Sequence, residues 1–186
     1  GVNAWRQHLP RHARVHGIVT EGGQAPNIVP ERAACSFYLR ADTDAELATM
    51  ERRFCDIATG AALMAGTRAE IAEGDVAYKA GRPNPVFNEE YVRLATELGM
   101  DPRPAREEGR GSTDFGDVSE ILPAAHVYFG IAPGVPLHSP EFVAAAGSET
   151  GIARTLLVAE ALARIGYRFF TDAEFRQRAR EAYEAK

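Results

Sequence analysis

Apolar positions along this chain repeat with two different periods, and each change of period marks a new element. Residues 14–20 alternate, with Val15, Gly17 and Val19 on one side and His16, Ile18 and Thr20 on the other, which predicts a strand. Gly22, Gly23, Pro26 and Asn27 form a turn signal, and residues 33–41 predict a second strand antiparallel to the first. Ahead of this pair, residues 1–8 read as a short helix that Pro10 stops. The period then lengthens. Leu47, Met50, Phe54, Ile57, Ala61 and Met64 lie three and four apart, one stripe of a long amphipathic helix. Thr43-Asp-Ala-Glu46 is a capping box for it, in which the Thr hydroxyl accepts from a helical N–H while Glu46 reaches back. Gly66 ends the helix, and residues 67–78 predict a third strand. The first part of the chain is thus a small sheet covered on one face by a helix.

Gly81-Arg-Pro-Asn-Pro85 breaks the pattern. Two prolines and a glycine in five residues suit a crossing between domains, so we divide the chain into residues 1–84 and 85–186. The second part predicts a helix over 88–98 ended by Gly99, a charged loop over 102–111, a short strand over 124–131 and a helix over 148–167. Thr171-Asp-Ala-Glu174 repeats the capping-box spacing and opens a closing helix that holds Phe175 and Tyr183. This order favours an α/β sandwich, but one strand is not a sheet. The second part needs partner strands that this sequence does not contain.

Composition narrows the class. At 186 residues, with 45% hydrophobic and 25% charged residues, the chain has the make-up of a soluble globular protein. A net charge of −5 argues against a general nucleic-acid binder, which needs a basic face to displace counterions. No apolar run approaches the ~20 residues that cross a bilayer. No charged-then-apolar leader is seen, and a cytoplasmic location is expected. Cys35 and Cys55 are too few for a disulfide framework and suit reduced thiols, with Cys35 expected to pack within its strand. The sequence opens on Gly1 as if inside an element, which leads us to expect a further amino-terminal region.

Several apparent motifs fail on their own chemistry. His8, His12 and His16 are four apart, as a metal-binding row on one helix would be, but Pro10 interrupts that helix and His16 lies in strand-patterned sequence. Gly109-Arg-Gly-Ser-Thr-Asp114 lacks the lysine and spacing of a nucleotide-phosphate loop. No Gly-x-Ser-x-Gly elbow occurs for a serine hydrolase. Two segments remain. In residues 16–30 a strand runs into a Gly-Gly turn and then Ala-Pro-Asn, which reads equally as a plain hairpin with a surface histidine or as a built site. In the second, small residues surround Asp114, and His138 follows Pro-Gly-Val-Pro-Leu after the short strand. Here the alternatives are a solvated histidine with a helix-capping aspartate, or a ligand site, and periodicity does not decide between them.

Together these strings resemble the aminoacylase/carboxypeptidase family of co-catalytic metallopeptidases. The match is to its amidohydrolase branch, which includes hydrolases of hippurate, auxin conjugates and aminobenzoyl-glutamate. The family's lid carries His-Gly-Ile-x-Thr-x-Gly-Gly-x-Ala-Pro-Asn-x-x-Pro, matched at residues 16–30. Its catalytic domain carries Gly-Ser-Thr-Asp-x-Gly-x-Val-Ser, matched at 111–119, and His-[Ser/Thr]-Pro-Glu-Phe, matched at 138–142. Phe115 departs from the pattern, which usually has methionine there.

The resemblance implies an incomplete α+β lid, or dimerisation, domain over residues 1–84. Residues 85–186 would be the carboxy-terminal part of an α/β zinc-peptidase catalytic domain. It implies metal-dependent hydrolysis of an amide bond in N-acyl amino acids or related small amides by the intact protein, with two zinc or manganese ions. His138 would be one metal ligand. His16 would be catalytic, reaching from the lid to stabilise the oxyanion, across a homodimer interface in related enzymes. Asp114, with Ser112 and Thr113, would shape the substrate pocket, Asn27 would hold the lid turn near substrate, and Phe115 would tune the pocket wall. The other metal ligands and the general base would lie upstream of Gly1. By itself this piece is expected to be inactive and to hold metal weakly or not at all. The alternative is a catalytically inactive dimerisation module.

Overall fold

The computed structural model describes residues 1–74, 77–104 and 113–185. The chain divides into two compact units, Gly1–Ala80 and Gly81–Lys186. The first holds a short helix α1 (Val2–Trp5), a 3-10 turn (Arg6–His8), strands β1 (Arg14–Glu21) and β2 (Ala34–Arg40), and helix α2 (Asp44–Ala65). The second holds α3 (Pro85–Glu97), α4 (Phe115–Ile121), α5 (Pro140–Ala146), α6 (Glu149–Thr171) and α7 (Ala173–Glu184). Among the described residues, no helix is long and apolar enough to cross a membrane.

β1 and β2 pair antiparallel, with His16 opposite Tyr38 and Gly17 opposite Phe37. The register slips between Val19 and Glu21, leaving Thr20 as an extra residue on β1. Ala13, Val15 and Met50 form a small core, with Trp5, Phe37 and Leu39 packed around it. Phe37 meets Phe54 of α2 with ring centroids 5.0 Å apart. Gly17 is what admits the Phe37 ring: a Cβ at Gly17 would stand 2.2 Å from Phe37 Cδ1. Thr43 caps α2, its hydroxyl accepting from the Glu46 N–H at 3.2 Å, and Gly66 closes it at φ 65.

Four expectations for this unit need correction. The capping box is only half made, because the Glu46 carboxylate turns instead to His12 Nε2 at 2.9 Å. The stripe on α2 is covered only in its first half, and Met64 is 86% exposed. A 22-residue helix runs about 33 Å, while an eight-residue strand reaches about 26 Å, so the helix outruns the sheet. Cys35 lies in β2 but is exposed rather than packed. No third strand forms among the described residues of 67–80. Ile71 and Tyr78 are 47% and 50% exposed, so that stretch has no apolar face to bury and little reason to join a ladder.

The second unit packs α3, α6 and α7 around Tyr91, Leu94, Val158, Ala161, Ile165 and Phe175. Asn84, 3% exposed, starts α3: its Oδ1 accepts from the Val86 N–H, and Pro85 fills the first helical position, three residues earlier than the pattern indicated. α6 runs on to Thr171, whose hydroxyl donates back to Tyr167 O. Asp172, not Thr171, therefore caps α7, its Oδ1 accepting from the Phe175 N–H at 3.0 Å. No strand forms over the expected 124–131. The Ala124 carbonyl takes the Asn84 N–H, but no second extended segment is described in this unit to ladder with the rest.

One charge is buried among the described residues of this unit. The Glu90 side chain, 6% exposed, accepts from Arg93 on its own helix and from Arg168 of α6 at 2.8 Å. The Arg93 hydrogen bond, joined by Arg168, holds the Glu90 carboxyl below the ordinary carboxylate range despite its burial. A folded-state pKa below the unfolded value stabilises above the unfolded pKa, and that stabilisation fades as pH falls through the folded one. Denaturation of the second unit should therefore become easier below about pH 4.5. Glu90→Gln should lower neutral-pH stability by about 1–3 kcal/mol and flatten this acid limb, measured by urea titration across pH. In the first unit, Gly17→Ala should cost about 1–3 kcal/mol by driving a methyl into the Phe37 ring, read in the same titration.

Candidate active-site residues

His16 sits on β1, exposed, on the strand face opposite Val15, with Tyr38 as its cross-strand neighbour. Ile18, 67% exposed, follows it on that face. β1 leads into the turn at Ala25-Pro-Asn-Ile28, closed by the Ile28 N–H donating to Ala25 O at 3.1 Å. Pro26 and Asn27 occupy its central positions, where proline presets φ and asparagine suits the bend. Asn27 is exposed there.

His138 lies in the second unit and has the most unusual backbone among the described residues. Its φ of 61 is the only positive value at a non-glycine residue among them. Pro136, Leu137 and His138 turn the chain into Ser139, the N-cap of α5. The Ser139 hydroxyl donates to Pro136 O at 2.9 Å and accepts from the Phe142 N–H at 3.1 Å, locking the turn from both sides. Pro140 then fixes the first helical residue. His138 is exposed and, with Leu137, Ser139, Pro140, Phe142 and Val143, lines an open recess. Left-handed backbone costs an ordinary residue about 1–2 kcal/mol, so this turn holds an imidazole at a position where glycine would be easier.

Asp114 stands at the N-cap position of α4 but makes no side-chain cap bond. Its Oδ1 accepts from the Thr113 hydroxyl at 3.2 Å, and Thr113 Oγ1 in turn accepts from the Phe115 N–H. Asp114 and Thr113 are thus neighbours in one small network, while Gly111 and Ser112 lie outside the described residues. Phe115 packs beside Gly81 and meets the His126 ring at a tilt with centroids 5.2 Å apart, and His126 meets Tyr128, also tilted, at 4.8 Å. Sequence reasoning passed over His126. The aromatic set of Phe115, His126 and Tyr128 is scattered across two segments, and only folding brings it together.

Among the described residues, no three His, Cys, Asp or Glu side chains gather where a metal could sit. A catalytic zinc takes three protein ligands. The described residues therefore do not by themselves fit such a metal, and His138 offers one imidazole. His16 and His138 fall in different units, and the row of His8, His12 and His16 does not exist: His8 ends the 3-10 turn, His12 pairs with Glu46, and His16 is on β1. The backbone at His138 makes a sharp forecast. His138→Gly should be more stable than His138→Ala by about 1 kcal/mol in denaturant titrations, since only glycine adopts that φ without penalty.

No family model matches the chain. It is 32% identical over 188 residues to the human Xaa-Arg dipeptidase, a match covering all of this chain and 43% of the relative. The mouse Xaa-Arg dipeptidase is 34% identical over 165 residues, covering 87% of this chain and 38% of the relative. One of the subunits of the p-aminobenzoyl-glutamate hydrolase of Escherichia coli (strain K12) is 25% identical over 241 residues, covering 99% of this chain and 50% of the relative. The chain thus spans half or less of the length of these relatives. Nearly end to end, it resembles the aminoacylase/carboxypeptidase family of metallopeptidases through their dipeptidase and aminobenzoyl-glutamate hydrolase members.

Proposed function

We propose that the intact protein hydrolyses an amide bond in N-acyl amino acids or related small amides and dipeptides. The observation that carries this reading is the whole-chain similarity to relatives named as a dipeptidase and an aminobenzoyl-glutamate hydrolase. Both names describe cleavage of an amide next to an amino acid. The strings at 16–30, 111–119 and 138–142 support it independently, because they put polar and small residues in the order that the family's lid and catalytic domain use.

In this reading residues 1–84 belong to a lid that pairs two copies into a homodimer, and residues 85–186 belong to the catalytic domain. A pair of divalent cations, zinc or manganese, is the cofactor. His138 gives one ligand, and the remaining ligands and the general base come from outside this chain. The strained, doubly braced turn at His138 supports a fixed imidazole there. His16 donates a hydrogen bond to the oxygen that gains charge during amide cleavage, serving the partner copy, and its exposure on β1 supports that reach. Asp114, Thr113 and Ser112 border the amino-acid portion of the substrate, with Phe115 at the pocket wall. Asn27 shapes the lid turn beside the substrate. The enzyme works in the cytoplasm.

The two histidines separate in an experiment. In the intact protein His138→Ala should lose bound metal by elemental analysis. His16→Ala should keep its metal while kcat on N-acyl amino acids falls about 10²–10³-fold, as for loss of one oxyanion donor. Equal metal loss in both variants would remove His16 from the role given to it.

A further inference from the structure

Phe115, His126 and Tyr128 set three aromatic rings in one continuous row on the second unit. Their centroids lie 5.2 and 4.8 Å apart, with tilts of 43° and 37°. Tyr128 is 65% exposed and His126 is exposed too, so burial among the described residues does not account for the row. Phe115, half-buried, is its fixed end. The Gly81 backbone closes on that ring, where a Cβ would stand 3.2 Å from Cδ1. Thr113 Oγ1 accepts from the Phe115 N–H, and the same hydroxyl donates to Asp114 Oδ1. One side chain thereby braces both the first ring and the carboxylate next to it in sequence. Asp114 is exposed, and its Oδ2 has no partner among the described residues.

The charge along this stretch has one sign. Residues 114–128 hold Asp114, Asp117 and Glu120 and no lysine or arginine. Arg82 stands 3.4 Å from Glu120 Oε1, so that carboxylate has its cation, while Asp114 has none among the described residues. Aromatic faces carry the negative part of the ring quadrupole and attract a cation set over them. A carboxylate at one end of such a row adds a charge-assisted hydrogen bond to the same ligand. We propose that Asp114, Phe115, His126 and Tyr128 form a specificity site for a guanidinium side chain in the substrate. A planar guanidinium can lie on a ring face and still direct N–H groups in its own plane at a carboxylate. An apolar side chain would instead desolvate Asp114 without offering a counter-charge. That the ligand is part of a substrate rests on the hydrolase reading, which puts Asp114 and Phe115 beside it.

Arginine and citrulline test the site, because they share a shape and differ in charge. Titration calorimetry on the intact protein should give arginine a dissociation constant about 5–30-fold below that of citrulline, as for a cation held by rings and a carboxylate. Tyr128→Ala and Asp114→Asn should each bring that ratio towards one. Tyr128→Phe should keep it, since the ring face remains. Both side chains are exposed, so the variants should keep the melting transition of the unsubstituted protein. Equal affinities in the unsubstituted protein, or a ratio that survives both Tyr128→Ala and Asp114→Asn, would overturn the site. Turnover separates this result from the hydrolase reading: N-acetylarginine should be cleaved with a higher kcat/KM than N-acetylcitrulline, by a similar factor. Cleavage of both with equal kcat/KM sinks the specificity site and leaves the hydrolase. The binding ratio with no cleavage of either sinks the hydrolase and leaves a guanidinium site.

Discussion

The second unit is organised by a charge that has to be paired. Glu90 leaves water on α3, and its carboxylate is kept ionised by Arg93 beside it and Arg168 across the helix interface. Arg168 also reaches Asp172 Oδ2 at 3.1 Å and lies over the Phe175 ring, 4.5 Å from its centroid. One guanidinium thereby joins α3, α6 and the cap of α7. Removing either arginine leaves the buried Glu90 carboxylate with one partner fewer, so the pairing favours a fixed relation among the three helices. On that body Asn84 ties α3 to α7 through Ala179 and to the start of the segment that leads towards His138 through Ala124.

What the sequence made legible were features decided within a few residues. Thr43 at the head of α2, Gly66 at its foot and the β1–β2 hairpin are local chemistry, and each formed. What failed depended on partners far along the chain. Glu46 had a good local use in the capping box but found His12, 34 positions away, and an imidazole two oxygens can share outcompetes one backbone N–H. Residues 67–78 and 124–131 alternate or run apolar as strands do, yet a strand exists only when another backbone takes its N–H and C=O groups. The Glu90–Arg168 pair, separated by 78 positions, left no trace in any periodicity. α4 was hidden because its seven residues are too few to show a period.

The candidate site was legible in a different way. Pattern alone left His16 as a hairpin histidine and Asp114 as a cap, and the structure puts both in settings that such bland readings also describe: an exposed strand position and an N-cap position. Only the order of the strings singled them out. His138 is the exception, because its setting is costly in itself. Nothing in Leu-His-Ser-Pro announces a left-handed residue, since the usual signal would be glycine. The strain becomes visible only when Ser139 is seen bonding in both directions around it.

The same limit explains why the expected α/β sandwich is only half visible in the second unit. α6 buries Val158, Ala161 and Ile165 against α3 and α7, but Ile152, Leu156, Tyr167 and Phe170, spaced four, eleven and three apart, fall together on another side and are 52–80% exposed. A helix apolar on two sides is built for two interfaces, and the described residues of the unit fill one. Residues 123–130 show the matching shortage, with Val127 packed on the core while Tyr128 and Phe129 stand 65% and 39% exposed. A layered fold needs both a covered helix face and a laddered strand. His138 follows directly after this unladdered stretch, so what fixes it here is the turn into α5 alone. That turn spends backbone strain to hold one imidazole exposed.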